Sequence, residues 1–205
     1  MKIRSLTAFE LPIELKTAIR HASHVRRHND TLIIRCELTD GSIGWGEGLP
    51  RTYVTGESIA SVWRHLQATD FEQLADACLA SPTDAVVALT ALRLADVPAD
   101  KDITPRECFG NSVRCALELS LLDAVCRSTD CSFSDVIHKL PAADELFAPR
   151  DDVHYSGVIT AATGLQQWRN TLKMKVFGFR QVKIKVGTAG IDDVISVGRA
   201  RRILG

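Results

Sequence analysis

The chain has 205 residues, of which 45% are hydrophobic and 24% are charged, as in an ordinary globular protein. Its 25 basic residues balance its 25 acidic residues, so the net charge does not favour binding to nucleic acid or to an anionic membrane. The N-terminal stretch lacks the apolar core of a signal peptide, and no apolar run approaches the roughly 18–20 residues of a membrane span. We therefore expect a cytoplasmic protein without a nucleic-acid or membrane partner.

The cysteines do not suggest a metal site or a disulfide framework. None of the six forms a C-x-x-C pair, whereas a zinc site needs four close ligands at a characteristic spacing. We expect reduced thiols that are mostly buried.

The first fifty residues have the pattern of antiparallel strands. Residues 32–38 alternate between apolar and polar side chains, Asp40-Gly41 predicts a turn, and residues 43–47 resume the alternation. A weaker strand is predicted over residues 3–9. Residues 16–29 fit neither helical nor strand periodicity, and we interpret them as a loop, which at this length is typical of a functional or a disordered segment.

Helical spacing follows the predicted strands. Apolar residues at i, i+3, i+4 and i+7 predict a helix over residues 59–66, with Thr55-Gly56-Glu57 as its start signal. A second helix is predicted over residues 83–95, ending near Pro98, and a third over residues 112–127. The strands and helices together predict an α+β domain.

The pattern changes again after residue 152. Strands are predicted over residues 153–159 and 181–186, each followed by a helix, over residues 165–176 and 192–204 respectively. Alternation of this kind predicts parallel strands joined by right-handed crossovers. Two such units cannot close a barrel, and they leave apolar strand edges open.

The second of these strands carries two lysines. On a strand, Lys183 and Lys185 project to the same face, while Val182, Ile184 and Val186 project to the other. If that face is buried, desolvation and like-charge proximity disfavour the ammonium form and favour a catalytic base. The alternative is an edge strand with a solvated lysine face.

Three segments resemble the enolase superfamily, in its muconate-lactonizing, dipeptide-epimerase and mandelate-racemase subgroups. Gly44-Trp45-Gly46-Glu47-Gly48-Leu49-Pro50 with Tyr53-Val54-Thr55-Gly56-Glu57 resembles the hairpin and loop of that family's capping domain. The run from Arg114 to Ala124 resembles its last capping helix, and Lys183-Ile184-Lys185 is similar to the lysine pair of its second barrel strand.

The resemblance implies a fold and a domain division. The fold is an α+β capping domain followed by the first two β/α units of an incomplete TIM-type barrel. Residues 1–128 would form the capping domain, a three-stranded meander plus helices, and residues 129–205 would form a linker and a truncated barrel segment.

The resemblance also implies a chemistry: abstraction of a proton next to a carboxylate, with Mg²⁺ stabilising the enediolate. Lys185 would be the acid/base facing the substrate carbon, and Lys183 would assist it and steady the carboxylate. Capping loops over residues 16–29 and 49–56 would set specificity for a small carboxylate substrate. The candidates for substrate contact in these loops are His21, His24, Arg51 and Tyr53.

The sequence departs from the family pattern because the acidic metal ligands of later barrel strands are absent. Asp192 and Asp193 follow the lysines, but they stand at a helix start and are expected to cap it. We therefore expect no cofactor bound by this chain, although Mg²⁺ is bound in the intact family, and no activity from the chain alone. The open barrel edges predict a homodimer. The alternative is a non-catalytic binding or assembly module derived from the same fold.

Overall fold

A computed structural model describes residues 1–20, 25–138, 140, 143–146, 152–160 and 164–205. The chain divides into two compact units. The first comprises residues 1–17 and 27–148, and the second comprises residues 18–26 and 149–205.

The first unit is built on a three-stranded sheet of order β1-β2-β3, formed by β1 (Ile3–Arg20), β2 (Val25–Leu38) and β3 (Ile43–Gly48). Strands β2 and β3 pair antiparallel, with Leu32 opposite Gly48 and Cys36 opposite Gly44. The alternation read from the sequence is confirmed: Leu32, Ile34, Cys36 and Leu38 are all buried. The turn at Asp40-Gly41 is also confirmed, and Gly41 adopts φ +90°, a conformation that favours glycine.

The loop predicted over residues 16–29 is wrong for the residues that the structure describes there. Strand β1 continues to Arg20 and strand β2 begins at Val25. Most of these residues are exposed. Because paired backbones stabilise such a ribbon and most of its described side chains are exposed, these side chains need no apolar alternation, and the periodicity on which the prediction depended is missing. The two candidate histidines, His21 and His24, lie outside the described residues.

In the described residues of the first unit, six helices follow, and most of the others pack around one long central helix, α4. They are α1 (Ile59–Ala68), α2 (Glu72–Asp76), α3 (Pro82–Ala91), α4 (Asn111–Ser128), α5 (Phe133–His138) and α6 (Ala143–Leu146). Helix α4 confirms the third predicted helix: its apolar stripe of Val113, Leu117, Leu121 and Ala124 is buried. Together with the inner face of the sheet, this stripe forms the core of the unit.

The ends of two predicted helices are corrected. Helix α1 begins after Ser58, whose side chain accepts a hydrogen bond from Ser61 N in a capping box, and Thr55-Gly56-Glu57 is not its cap. Helix α3 ends at Ala91, four residues before the predicted end. The Arg114 guanidinium donates to the carbonyl oxygens of Leu89 and Leu92, which gives acceptors at this helix end a partner.

The second unit has the predicted strand–helix–strand–helix order. Its elements are β4 (Gly157–Ile159), α7 (Gly164–Val176), β5 (Val182–Ile184) and α8 (Asp193–Leu204). The two strands are shorter than predicted, and they pair parallel, as expected. Helices α7 and α8 meet through a buried polar contact, in which Gln167 Nε2 donates to Ser196 O over 2.9 Å and Arg199 Nη1 donates to Gln167 Oε1 over 2.9 Å.

All six cysteines are free thiols, but the expectation that most are buried is wrong. Cys36 and Cys126 are buried, whereas Cys78 and Cys115 are exposed. Within the described part of the chain, no helix has the length and apolar character needed to cross a membrane.

Candidate functional site

The two candidate catalytic lysines lie at the carboxyl end of β5. Lys183 stands opposite Val158 in the parallel pair, and Lys185 follows the last residue of the strand. The backbone N–H of Lys185 donates to Ile159 O over 2.9 Å, which extends the ladder by one bond. The lysines therefore sit two residues apart on a chain segment that is still held as a strand.

The two faces of this small sheet differ. Gly157 faces helix α7, because a β-carbon on Gly157 would lie 2.6 Å from Met174 Sδ. Ile159 lies on the same face and is 1% exposed. Val158 and Lys183 lie on the opposite face and are exposed, while Lys185 is partly buried. Helix α7 thus covers the apolar face, while the other face of the two described strands carries the exposed side chains of Val158 and Lys183.

The carboxylates after the lysine strand are occupied by structural hydrogen bonds. Asp192 Oδ1 accepts from Ile195 N over 3.0 Å and caps helix α8, as predicted. Asp193 Oδ2 accepts from Gly187 N over 2.9 Å and fixes the loop that leaves β5. Among residues 1–20, 25–138, 140, 143–146, 152–160 and 164–205, no group of three or more metal-ligating side chains occurs. The donor set of the described residues does not fit a Mg²⁺ centre, which takes several oxygen ligands.

The other two described candidates, Arg51 and Tyr53, share a turn in the first unit. Arg51 Nη1 donates to Asn29 Oδ1 over 3.3 Å, which ties the turn to strand β2. The Arg51 carbonyl oxygen accepts from the backbone N–H groups of Val54, Thr55 and Gly56 at 2.9–3.2 Å, so the turn is internally held. Tyr53 lines a surface cavity of about 530 Å³ together with Thr52, Asp102, Ile103, Thr104 and Arg106.

The structure thus groups the described candidates in two pairs. Lys183 and Lys185 lie together at one strand end in the second unit, and Arg51 and Tyr53 lie together in one turn in the first unit.

Sequence reasoning missed the role of Glu57. Its carboxylate is fully buried, and Oε1 accepts from Gly110 N and Ser112 N over 3.1 Å each and from Ser112 Oγ over 2.6 Å. These donors are at the first turn of α4, where the helix dipole favours negative charge. Glu57 therefore holds the turn of residues 51–56 against the central helix. No local pattern could reveal this, because the partners are 53 and 55 residues away.

The overall architecture defines a class of fold: an antiparallel capping sheet with helices, followed by parallel β/α units. This is the fold of the N-terminal half of mandelate racemase/muconate lactonizing proteins and dipeptide epimerases. No family model matches the sequence, and a comparison with curated proteins found no match.

Solved structures of that class match along the entire chain. A muconate lactonizing enzyme from Mycobacterium smegmatis, complexed with muconolactone, matches with a TM-score of 0.69 and 18% identity, over 100% of this chain and 50% of that chain. A dipeptide epimerase from Enterococcus faecalis, complexed with Mg and L-Leu-L-Tyr, matches with a TM-score of 0.67 and 22% identity, over 100% of this chain and 51% of that chain.

An L-Ala-D/L-Glu epimerase from Bacillus subtilis matches with a TM-score of 0.64 and 19% identity, over 100% of this chain and 51% of that chain. The chain therefore spans about half the length of the structures that it resembles. The resemblance read from the sequence is confirmed at the level of the fold.

Proposed function

We propose that this chain supplies the capping domain and the first two β/α units of an isomerase-type enzyme that abstracts a proton next to a carboxylate. The observation that carries the proposal is the position of Lys183 and Lys185 at the carboxyl end of β5, on the face that helix α7 does not cover. Catalytic groups of β/α barrels lie at this end of the strands. Solved relatives in fold include epimerases of dipeptides and a muconate lactonizing enzyme.

Each lysine has its own role in this proposal. Lys185, nearer the end of the strand, exchanges a proton with the substrate carbon. Lys183 lies two residues earlier and binds the substrate carboxylate through its ammonium group.

The enediolate formed by such a reaction needs a counter-charge, which Mg²⁺ supplies in enzymes that stabilise ene-diolates. The described carboxylates Asp192 and Asp193 are engaged with backbone N–H groups and do not form a metal centre. We therefore propose that the chain by itself does not turn over substrate, and that acidic residues from outside it complete the site.

Substrate recognition is proposed for the capping segments. Arg51 carries a guanidinium, the group that suits a carboxylate best, and Tyr53 lines a surface cavity of the same turn. His21 and His24 complete the candidate set. The substrate class is a small carboxylate.

The test uses exchange of the α-proton in D₂O, followed by ¹H NMR with dipeptides and muconolactone as probes. The first arm uses the chain alone with Mg²⁺ and is expected to show no exchange. The second arm uses the chain joined to whatever barrel-like sequence the DNA beyond the codon for Gly205 encodes, and it is expected to show exchange. Lys185→Met should abolish this exchange, whereas Lys173→Met, an exposed lysine on α7, should preserve it. Exchange that survives Lys185→Met would contradict the proposal.

A second candidate function is a non-catalytic binding or assembly module. It is favoured by the exposed apolar side chains of the second unit, among which Val153, Leu165, Val176 and Val194 are 78–88% exposed. In this reading the open edges of β4 and β5 pair with a second copy to give a homodimer. Stable folding and self-association that do not depend on Mg²⁺, with no acidic barrel strand in the downstream DNA, would favour this candidate over the enzyme.

A further inference from the structure

The two cysteines that are closest together in the sequence, Cys126 and Cys131, flank the junction between helices α4 and α5. Cys126 lies in the last turn of α4, which ends at Ser128, and Cys131 follows three residues later. Helix α5 then begins at Phe133. Neither cysteine is in a disulfide in this structure; Cys126 is buried and Cys131 is partly buried. The chemistry proposed for the lysines uses neither of them.

The backbone of this junction has the pattern of a Schellman motif. Asp130 adopts φ +51°, the left-handed conformation with which many helices end. The backbone N–H of Cys131 donates to the carbonyl oxygen of Cys126 over 2.9 Å. In the motif this hydrogen bond joins the third-last helical residue to the residue after the left-handed one, and the side chains at these two positions frequently contact each other. The motif therefore favours contact between the two cysteine side chains.

The same hydrogen bond limits the distance between the two residues. With standard bond lengths, the 2.9 Å between Cys131 N and Cys126 O allows the two Cα atoms to lie at most about 6.8 Å apart. Disulfides join residues whose Cα atoms are roughly 4.4–6.8 Å apart. The backbone at this junction therefore meets the distance requirement for a disulfide, and neither helix has to move.

Both sulfur atoms lie against the segment that connects the helices. Cys126 Sγ is 4.0 Å from Ser132 O, the carbonyl oxygen of the residue after Cys131, and Cys131 Sγ is 3.6 Å from Thr129 O. Ser132 is held in place because its backbone N–H donates to Asp135 Oδ2 over 2.8 Å in the first turn of α5. The two thiols are therefore positioned by one short, hydrogen-bonded segment of the chain.

We propose that Cys126 and Cys131 form a reversible disulfide on oxidation, which joins the end of α4 to the start of α5. The oxidant is a small disulfide such as oxidised glutathione. The thiolate of Cys131, the more exposed of the two, attacks one sulfur of the oxidant and releases one molecule of reduced glutathione. The thiolate of Cys126 then attacks the Cys131 sulfur and releases the second. Two protein thiols and one oxidised glutathione thus become one protein disulfide and two reduced glutathione molecules.

The disulfide makes the stability of the first unit depend on the redox conditions. It closes a ring over residues 126–131 at the end of the central helix, and such a ring restricts the unfolded chain more than the folded one. By linkage, the folded chain favours the disulfide over the unfolded chain by the same factor by which the disulfide stabilises the fold. We expect this factor to be at least about tenfold, because the native backbone already meets the distance requirement.

The experiment equilibrates the full chain in glutathione buffers of increasing oxidised fraction, alkylates the remaining thiols and maps the products by mass spectrometry. Trypsin cuts after Arg127, so the disulfide links the peptide of residues 115–127 to that of residues 128–139. We expect the linked pair in the native chain and its loss on treatment with dithiothreitol. The equilibrium constant for its formation should be at least about tenfold larger in the native chain than in the same chain unfolded in urea.

Variants assign the link to its two cysteines. Cys131→Ser and Cys126→Ala should each abolish the linked peptides, with far-UV circular dichroism unchanged. The matched control is Cys115→Ser, which removes the other cysteine of the peptide 115–127 and should leave the link intact. Linked peptides that persist in Cys126→Ala would show that Cys115 is the partner and would overturn the proposal. A native chain that gives only mixed disulfides with glutathione, or an equilibrium constant no larger than in urea, would also overturn it.

Discussion

The backbone of Gly46 lies directly on the backbone of Ala116. A β-carbon at Gly46 would be 2.0 Å from the Ala116 carbonyl oxygen, which is much shorter than any distance that real β-carbons keep from such an atom. The same holds for Gly44 and Gly48, whose β-carbons would lie 2.1 and 2.0 Å from backbone atoms of α4. Strand β3 therefore packs on the central helix without intervening side chains, and every second residue of the strand has to be glycine.

Gly46→Ala is expected to destabilise the first unit by more than about 3 kcal/mol, because the clash is with backbone atoms that cannot rotate away. Denaturant unfolding checks this, with loss of soluble protein as the extreme result. Gly198→Ala is the control: nothing lies within 4 Å of its β-carbon position on α8, so this change should be neutral or stabilising by up to about 1 kcal/mol. Equal stability of the two variants would show that the strand can move off the helix.

Glu57→Ala is expected to lower the free energy of unfolding by about 2–4 kcal/mol, because it orphans the buried donors of Gly110 and Ser112 at the start of α4. Glu57→Gln keeps an amide oxygen as an acceptor but loses the charge that the helix dipole favours, and it should cost less. Chemical denaturation of the unsubstituted chain and the two variants measures the order of their free energies of unfolding. The expectation fails if the glutamine variant is the least stable.

The Asp100 carboxylate predicts a specific pH dependence. Hydrogen bonds from Ser58 and then Arg64 hold its pKa below the ordinary value of 3.8. Because the folded pKa is lower than the unfolded one, the contribution to stability is complete above the unfolded value and is lost as the pH falls through the folded one.

The thermal midpoint of the unsubstituted chain should therefore exceed that of Asp100→Asn at pH 7, and the difference should shrink below about pH 4. Asp96→Asn, at an exposed aspartate of the same connection, should match the unsubstituted chain. A difference between the unsubstituted chain and Asp100→Asn that stays constant down to about pH 3 would mean that the carboxylate charge does not stabilise the fold.

Burial raises the pKa of Cys36 to about 12, despite the neighbouring Arg35. At pH 8 only about one thiol in 10⁴ would be ionised, so Cys36 should not react with an alkylating reagent in the native protein. The exposed Cys78 should react under the same conditions. Peptide mass spectrometry before and after unfolding distinguishes them, and rapid native labelling of Cys36 would contradict its buried position.

The elements predicted correctly are those whose signal is local. The stripe of Val113, Leu117 and Leu121 repeats with helical spacing, and the alternation of residues 32–38 repeats with strand spacing, so neighbouring residues carry the pattern. The ribbon of β1 and β2 around residues 16–29 has no such pattern. Its conformation depends on pairing between the strands, which local periodicity does not indicate.

The lysine pair also combines features that the local sequence indicates with features that depend on tertiary packing. A spacing of two residues on a strand is enough to assign Lys183 and Lys185 to one side, and Asp192 could be recognised as a cap from its place before a helix. The exposure of Lys183 could not be read in this way, because it depends on which face of β4 and β5 helix α7 covers. Likewise, the attachment of Glu57 to α4 joins residues more than fifty positions apart. Such contacts form when distant segments pack together, and the local periodicity of the sequence does not indicate that packing.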